Sequence, residues 1–305
     1  MTAKPIIRAV VLFLVVSSLP GCSIKKMAIN TVGNTLADSG STFAADDDPE
    51  LVAAAVPFGL KTIEGLLAQA PNHRGLLFAA CSGFTQYAYA FVQQPADYIE
   101  AKDLDQATAM RARAKKLFVR ARDYGLRGFD VEFPGFSGRI RKDTDGELQR
   151  LKKEHVPLLY YTGAAWAAAF AIDVTDSQLA TDQTIIEKLM RRALALDEGW
   201  GAGSLHDFFI SWEAAHVSGG GTLEKAKEHF DRSRQLSAGQ RVSPLVSYAE
   251  SVLLATRDRK AFEALLNEAI EFDIAKAPPD QKLPNVLAQR RARWLLSRTD
   301  DLFHP

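Results

Sequence analysis

Apolar residues recur at every third or fourth position along most of the chain, which is the spacing of one face of an α-helix. The run Phe84, Tyr87, Ala88 and Phe91 is typical, and the alternation that predicts β-strands is almost absent. The periodic segments predict helices at 49–69, 74–94, 104–128, 156–173, 182–197, 203–217, 222–236, 243–256, 258–272 and 283–302. The predicted fold class is therefore all-α.

Breaks rich in proline and glycine separate the predicted helices, for example Pro71-Asn72, Gly219-Gly220-Gly221 and Pro278-Pro279. Helices joined by such short turns predict antiparallel helical hairpins stacked side by side. Residues 129–156 lack the helical period and are expected to be irregular. A stack of hairpins forms a curved body, and its concave face suits a peptide or another ligand.

A degenerate repeat of packing residues underlies the predicted stack. The second helix of a tetratricopeptide repeat carries a small residue, a large apolar residue four positions later, and another small residue three positions after that. Ala114, Phe118 and Ala121 fit this pattern. Further copies, some of them looser, are Gly59-Ile63-Leu66, Ile186-Met190-Ala193, Ala226-Phe230-Ser233 and Phe262-Leu266-Ala269. The pattern predicts tetratricopeptide-like stacking, and the alternative is a general helical bundle with alanine-rich interfaces.

The N-terminus has the layout of a secreted precursor. Lys4 and Arg8 accompany an apolar run that is too short to span a membrane, which is typical of a signal peptide. The run ends in Leu19-Pro20-Gly21-Cys22, which resembles a bacterial lipobox. We therefore expect residues 1–21 to be removed as a lipoprotein signal peptide and Cys22 to be acylated. The alternative is an ordinary signal peptide followed by a chance cysteine.

The remainder of the chain predicts a tether and one folded domain. Residues 22–46 are rich in Ser, Thr, Gly, Asn, Ala and Asp, which is typical of a flexible link. Residues 47–305 form the predicted helical domain. By analogy with enteric bacteria, Ser23 favours the periplasmic side of the outer membrane as the place of the lipid anchor.

Composition narrows the classes of function. The chain contains 37 Lys plus Arg and 37 Asp plus Glu, so it lacks the basic excess of most nucleic-acid-binding proteins. Its two cysteines are Cys22 and Cys81, and acylation of the first leaves the second without a disulfide partner. Cys81 is predicted to be a buried thiol. We expect neither nucleic-acid binding nor a fold held by a disulfide.

Motifs of catalytic and metal sites are not found in the sequence. The triple glycine at 219–221 leads into Thr222 and Leu223, where a phosphate-binding loop would have Lys and Ser or Thr. Glu213 and His216 have the spacing of one di-iron ligand pair, but the sequence supplies no second pair. We therefore expect no enzyme activity, no cofactor and no metal site.

Aromatic and basic residues are the candidates for binding. Tyrosine and tryptophan suit sites that are apolar with one polar group. The aromatic residues considered are Tyr87, Tyr89, Phe91, Tyr160, Tyr161, Trp166, Trp200, Phe208, Phe209 and Trp212, most of them expected in the core and two or three in a groove. The basic residues of the last helix form either a solvated face or a contact for an anion or a partner. The predicted cleft residues are Tyr87, Tyr161, Trp166, His206, Trp212, Arg290 and Arg291.

Several blocks of the chain, in order, resemble one protein family. They are Asp48 to Leu51, Tyr87 to Val92, Arg113 to Leu126, Tyr161 to Trp166, Leu205-His206 with Glu213-Ala214, and Ala288 to Leu296. The family is TatT, the tetratricopeptide-repeat lipoproteins associated with TRAP (tripartite ATP-independent periplasmic) transporters. The resemblance runs from about residue 46 to residue 303.

The resemblance implies an all-helical, lipid-anchored periplasmic protein that forms homotrimers and works with the substrate-binding protein of a TRAP transporter. It also implies a cleft for a small hydrophobic or organic-acid ligand, and it carries no catalytic residues. We therefore expect a non-enzymatic accessory protein of solute uptake. It would bind the substrate-binding protein, its ligand or both through a helical concave surface. The alternative, with the same fold and membrane anchor, is a scaffold for envelope assembly such as pilus or outer-membrane biogenesis.

Overall fold

The computed structural model describes residues 40–216 and 219–304, and this part of the chain contains helices and turns but no strand. Its α-helices are α1 (Gly40–Ala44), α2 (Pro49–Gln69), α3 (Arg74–Ala88), α4 (Gln94–Ile99), α5 (Leu104–Glu132), α6 (Phe136–Arg139), α7 (Thr144–Gln149), α8 (Val156–Ile172), α9 (Ser177–Thr181), α10 (Gln183–Leu196), α11 (Ser204–Ala215), α12 (Leu223–Leu236), α13 (Ser243–Tyr248), α14 (Arg259–Glu271), α15 (Lys282–Ser297) and α16 (Thr299–Leu302). The all-α fold class predicted from the periodicity is confirmed.

Capping residues in the sequence fix where the helices begin. The carboxylate of Asp48 accepts a hydrogen bond from the backbone N–H of Leu51 at 2.9 Å, and Pro49 occupies the first turn of α2. Asp103 caps α5 in the same way through the N–H of Gln106. These carboxylates satisfy N–H groups that have no partner inside the helix. This is why the bounds of α2 agree with the predicted span 49–69.

The helix predicted at 74–94 extends further than expected. α3 continues through a π-helical turn, Tyr89–Gln93, directly into α4. Pro95 lies in the first turn of α4. In a regular helix its ring would clash with the carbonyl four residues earlier, and the wider π turn relieves this conflict. The proline therefore marks a bulge in a longer helix.

Residues 129–156, expected to be irregular, contain short helical pieces. α5 continues to Glu132, and α6 and α7 follow before a 3-10 turn at Lys153–His155. Asp143 caps α7 by accepting from the N–H of Gly146 at 2.9 Å. These pieces are too short to display a helical period, which is why the hydrophobic pattern did not predict them.

α5 is the central helix of the first half of the fold. It packs against both α3 and α8, which also contact each other. Ala114, Phe118 and Ala121, which the repeat pattern singled out, are fully buried. Gly125 lies where α5 crosses α8, and an added Cβ atom there would lie 2.0 Å from Thr162 Oγ1. Small residues therefore set the approach of these helices, and the tetratricopeptide assignment stays a prediction.

Two apolar clusters form the core, and α11 lies between them. The first cluster runs from α2 to α10 and includes Phe209 and Trp212 of α11. The second cluster runs from α11 to α15 and takes Ile210 from α11. Neighbouring residues of one helix thus face different clusters, so α11 couples the two halves of the fold.

The last long helix returns to the beginning of the fold. α15 contacts α1 and α2. Arg290 pairs with Glu50 at 2.7 Å, and Arg291 pairs with Asp97 of α4 at 3.0 Å. The last long helix is therefore packed against the first helices of the fold.

The folded body begins within the segment 22–46 for which the sequence predicts a tether. α1 lies in that segment and packs against Pro279–Gln281 and against α15. The predicted signal peptide 1–21, the acylation site Cys22 and tether residues 22–39 lie outside the described residues.

Candidate functional site

Three tyrosines from two helical segments, α8 and the π turn after α3, form the candidate site. Tyr89, in the π turn after α3, is 52% exposed. Its pKa is nevertheless raised, first because surrounding protein displaces water and then because Glu250 lies nearby. Tyr89 also contributes to the raised pKa of Tyr160, so the two phenols lie near each other. We call the candidate site formed by Tyr89, Tyr160 and Tyr161 the tyrosine recess.

Tyr160 and Tyr161 of α8 form a second wall of the tyrosine recess. Their ring centres are 5.2 Å apart, and they lie 4.7 Å and 6.1 Å from the ring of Trp200. Burial raises the pKa of both hydroxyls, that of Tyr161 to about 12. Both phenols therefore stay protonated near neutral pH and remain able to donate hydrogen bonds to a ligand.

An ion pair between α11 and the start of α13 borders the tyrosine recess. Arg241 Nη2 lies 2.5 Å from Asp207 Oδ2, and the two side chains are only 9% and 10% exposed. Ser243 donates its hydroxyl to the same carboxylate at 2.8 Å. Arg241 lowers and Asp207 raises the pKa of Tyr160, so the pair lies near that hydroxyl. The recess thus gains polar groups without net charge.

Arg291 of α15 lies on the side of the recess next to Tyr89. Its guanidinium pairs with Glu250 and with Asp97, and it lies 4.3 Å from the ring centre of Trp294. Desolvation acts to lower the pKa of Arg291, but the carboxylates outweigh it and the pKa is raised. The buried guanidinium therefore stays charged and holds α15 against α4.

Two π-helical turns meet at this ion pair. The turn Tyr89–Gln93 supplies Tyr89, and the turn Ala249–Leu253 supplies Glu250. A π turn adds a residue to one turn of helix and changes the direction of its side chains, and such turns are frequent at functional sites. Here they direct a phenol and a carboxylate to the same edge of the tyrosine recess.

The tyrosine recess has the groups of a binding site. Aromatic faces with converging hydroxyls and a few buried charges are typical of sites for small organic ligands. In the part of the chain that the structure describes, no group of three His, Cys, Asp or Glu side chains is placed to hold a metal ion. Cys81 is fully buried, and burial raises its pKa to about 12, so its thiol is not a nucleophile near neutral pH.

The structure brings two of the predicted cleft residues, Tyr161 and Arg291, to the tyrosine recess. Tyr87 faces α5, with its hydroxyl 3.4 Å from Arg113 Nη2. Tyr89 follows two positions later and reaches the recess because residues two apart lie on different faces of a helix. The aromatic block from Tyr87 to Val92 therefore contributes Tyr89, and not Tyr87, to the tyrosine recess.

Trp166, Trp212 and Arg290 lie away from the tyrosine recess. Trp166 is fully buried, and the guanidinium groups of Arg122 and Arg141 lie 5.2 Å and 5.3 Å from its ring. Trp212 is buried and stacks on a histidine ring at 3.8 Å. Arg290 is exposed and forms an ion pair on the outer surface. Burial in the core or pairing on the surface accounts for these three residues.

His206 belongs to a polar contact between α11 and α12. Its Nδ1 lies 2.8 Å from Nδ1 of His229, and its Nε2 lies 3.3 Å from Glu198 Oε1. Since a carboxylate faces Nε2, that nitrogen carries the proton, and Nδ1 accepts the proton of His229. Burial lowers the pKa of both histidines, that of His229 to about 4. The two imidazoles are therefore neutral and joined by a hydrogen bond at neutral pH.

Three charged residues at the recess, Asp207, Arg241 and Glu250, were not predicted from the sequence. Arg241 lies in the connection before α13, and Asp207 and Glu250 lie on helices without any motif around them. Tyr89, Tyr160 and Trp200 were among the aromatic residues considered, but their spacing does not distinguish them from aromatic residues of the core. Only the contacts between distant helices identify these residues as one site.

Comparison with known proteins identifies the family. A family model described as TRAP transporter T-component matches residues 45–303, which is most of the chain. The chain belongs to the TRAP transporter T-component family. An uncharacterized protein of Treponema pallidum (strain Nichols) is 31% identical to this T-component, with 93% of each chain covered. The resemblance read from the sequence is confirmed, and family membership associates this T-component with a transporter of the cell envelope as an accessory component.

Proposed function

We propose that this T-component is a lipid-anchored periplasmic accessory protein that binds the substrate-binding protein of a TRAP transporter, the ligand of that protein, or both. The family match over residues 45–303 is the observation that carries the proposal. Acylation of Cys22 would hold the helical domain at the envelope, with Ser23 favouring the outer membrane. The same match favours solute uptake over the scaffold for envelope assembly.

The tyrosine recess is the proposed ligand site. Its free hydroxyls at Tyr160 and Tyr161 suit the carboxylate or carbonyl of a small organic acid, and the ring of Trp200 suits an apolar part. Arg241 and Arg291 are each neutralised by carboxylates of the protein. The ligand would therefore be held mainly by hydrogen bonds and aromatic contact.

Calorimetric titration with ligand tests the recess. The double variant Tyr160→Phe, Tyr161→Phe removes two hydroxyls and keeps both rings, so we expect affinity to fall about 10-fold or more. Tyr248→Phe is the matched control, because Tyr248 packs on Phe230 in the second cluster and should leave affinity unchanged. Equal ligand affinity of the wild-type chain, the double variant and Tyr248→Phe would show that the tyrosine recess is not the ligand site.

Pull-down with the cognate substrate-binding protein tests the partnership. We expect the immobilised T-component to retain that protein at micromolar concentration. Failure of retention, both with and without ligand, would contradict the partnership. The homotrimer that the resemblance implies stays a prediction, and sedimentation velocity measures it.

A further inference from the structure

Three arginines recur at seven-residue intervals along α5. They are Arg113, Arg120 and Arg127, and all three are exposed. Seven residues make almost two helical turns, so the three side chains lie on one face of α5, each about 10.5 Å along the axis from the next. We call these three residues the arginine row, which is about 21 Å long.

An aromatic ring lies beside each member of the arginine row. In chain order, the three guanidinium groups lie 5.8 Å, 5.4 Å and 5.3 Å from the ring centres of Tyr87, Phe84 and Tyr124. A guanidinium at this distance is attracted to the face of the ring. Because the rings restrict the arginine side chains, these side chains lose less conformational entropy when they bind a partner. The row therefore differs from arginines that are held only by solvent.

The arginine row has few carboxylates to neutralise it. Arg113 contacts a tyrosine hydroxyl at 3.4 Å, and Arg127 donates to the backbone carbonyl of Pro71 at 3.1 Å. Neither of them forms an ion pair with a side chain of the described residues. Arg120 lies 3.6 Å from Glu64, a carboxylate that also pairs with a lysine of α2. Two of the three charges are therefore left without a carboxylate in the part of the chain that the structure describes.

A shallow groove of about 330 Å³ runs along the arginine row. Its lining residues are Lys116, Val119, Arg120, Asp123, Tyr124 and Arg127. Lys116 adds an exposed cation that has no carboxylate partner among the described residues. Asp123 is already paired with Arg122 at 2.7 Å. Burial raises the pKa of Tyr124 to about 12, so its hydroxyl is uncharged near neutral pH. The groove therefore carries a net positive charge.

The spacing of the arginine row matches carboxylates on another helix. A guanidinium holds a carboxylate through two parallel hydrogen bonds. Acidic residues at seven-residue intervals on a helix lying along α5 also recur about every 10.5 Å. In an extended strand, side chains on one face recur about every 6.8 Å and would not stay in step with the row.

The composition of this face of α5 disfavours a lipid surface. A helix that lies in a membrane interface carries large apolar residues beside its basic ones. Among the described residues, Leu104 is the large exposed apolar side chain of α5. It precedes Arg113 by nine residues, which is two and a half turns, so it lies on the opposite side of the helix. The row therefore fits an acidic protein surface better than a membrane.

We propose that the arginine row docks an acidic helix of the substrate-binding protein, with one carboxylate of that helix on each guanidinium. The inference rests on the proposed function and deepens it, because it assigns the surface that meets the partner. The row shares no residue with the tyrosine recess. Docking of the partner and binding of the ligand can therefore be measured separately.

Calorimetric titration of the substrate-binding protein into the chain from residue 22 onward, carrying Cys22→Ser, tests the proposal. We expect Arg113→Glu with Arg127→Glu to lower affinity at least about 10-fold at low salt, and the difference to shrink at high salt. Helicity and thermal midpoint should not change, since both residues are exposed. Lys260→Glu with Arg293→Glu is the matched control, because it makes the same change of net charge at exposed positions of α14 and α15. This control should keep wild-type affinity.

Competition with synthetic peptides tests the spacing. A helical peptide with glutamates at seven-residue intervals on one face should displace the substrate-binding protein from the chain. A helical peptide of the same composition, with its glutamates spread around the helix, should displace it much less. Equal displacement by the two peptides would contradict the match between helices.

The remaining outcomes separate this inference from the proposed function. Wild-type affinity in Arg113→Glu with Arg127→Glu would overturn the docking surface and leave the partnership standing. The same affinity, together with flotation on phosphatidylglycerol vesicles that this double variant loses, would identify lipid as the occupant of the row. A wild-type chain that does not bind the substrate-binding protein at all would contradict the partnership itself, and the docking surface with it.

Discussion

At the scale of single residues, the absence of a side chain decides how closely the helices pack. Gly125 of α5 faces Thr162, and Gly163 of α8 lies so close to Met190 that an added Cβ atom would be 2.5 Å from its Sδ. These glycines let α5, α8 and α10 approach one another. Glycine in a helix is otherwise destabilising relative to alanine, so its presence here reflects packing.

The substitution Gly125→Ala should therefore destabilise the fold. The new methyl group would overlap Thr162 Oγ1, and we expect the free energy of unfolding to fall by about 1–3 kcal/mol. Gly59→Ala is the control, because a Cβ atom there meets nothing within 4 Å, and it should raise the free energy of unfolding by up to about 1 kcal/mol. Urea denaturation measures both, and the same sign for the two variants would contradict this packing argument.

The residue types in the sequence do not distinguish aromatic residues of the tyrosine recess from aromatic residues of the core. Trp166 and Trp200 are the same amino acid, yet Trp166 lies fully buried in the middle of α8 while Trp200 is half-buried in the glycine-rich connection before α11. Trp166 was among the predicted cleft residues, and Trp200 was not. The burial of Trp166 depends on Arg122 and Arg141, which come from two different parts of the chain.

At the scale of elements, the contact between α11 and α12 depends on the charge of two histidines. Unfolding frees His206 and His229 from the burial that lowers their pKa values. Between about 4, the folded pKa of His229, and the ordinary histidine pKa of about 6.5, the unfolded chain binds more protons than the folded chain. The free energy of unfolding therefore falls as pH decreases through this window.

Thermal or urea unfolding from about pH 7 to about pH 5 measures this effect, because carboxylates with lowered pKa values stay ionised there. Each histidine contributes at most about 1.4 kcal/mol per pH unit. We expect His229→Gln to make stability less dependent on pH in this range. An unchanged pH dependence in that variant would show that the histidine contact does not control the stability of the hairpin.

The ion pairs of α15 allow a second prediction at the scale of elements. Arg291→Met leaves the Glu250 carboxylate without its partner in a half-buried place, and we expect the free energy of unfolding to fall by about 3 kcal/mol or more. Arg290→Met is the control, because the pair with Glu50 is exposed and such pairs contribute about 0–1 kcal/mol. Similar losses in urea denaturation for the two variants would contradict the assigned role of Arg291.

Most elements could be predicted from the sequence, because long amphipathic helices with capping residues have a local signal. α2 is predicted to its bounds, and α5, α8, α10, α12 and α14 are predicted within a few residues. The π turns Tyr89–Gln93 and Ala249–Leu253 have no such signal, since they arise from the way a long helix meets its neighbours. The recess depends on both turns, and therefore it was predicted only in part.

At the scale of the whole molecule, closure of the helical stack creates the candidate site. Arg291 and Asp97 are 194 positions apart in the chain, and their ion pair brings the last long helix to the first half. Repeat patterns describe contacts between neighbouring hairpins, so they predict a curved stack without revealing where its ends meet. Arg291 and Glu250 also lie near Tyr89, so this long-range contact forms one side of the tyrosine recess.

Uptake of the transporter's own substrate by cells lacking this T-component tests the central claim most directly. We predict that deletion lowers the rate of uptake and that the intact gene restores it. The genes with Cys22→Ser, or with Tyr160→Phe and Tyr161→Phe together, should restore it only in part, and the Tyr248→Phe gene should restore it fully. Uptake that is unchanged by the deletion would contradict the assignment of this chain to solute transport.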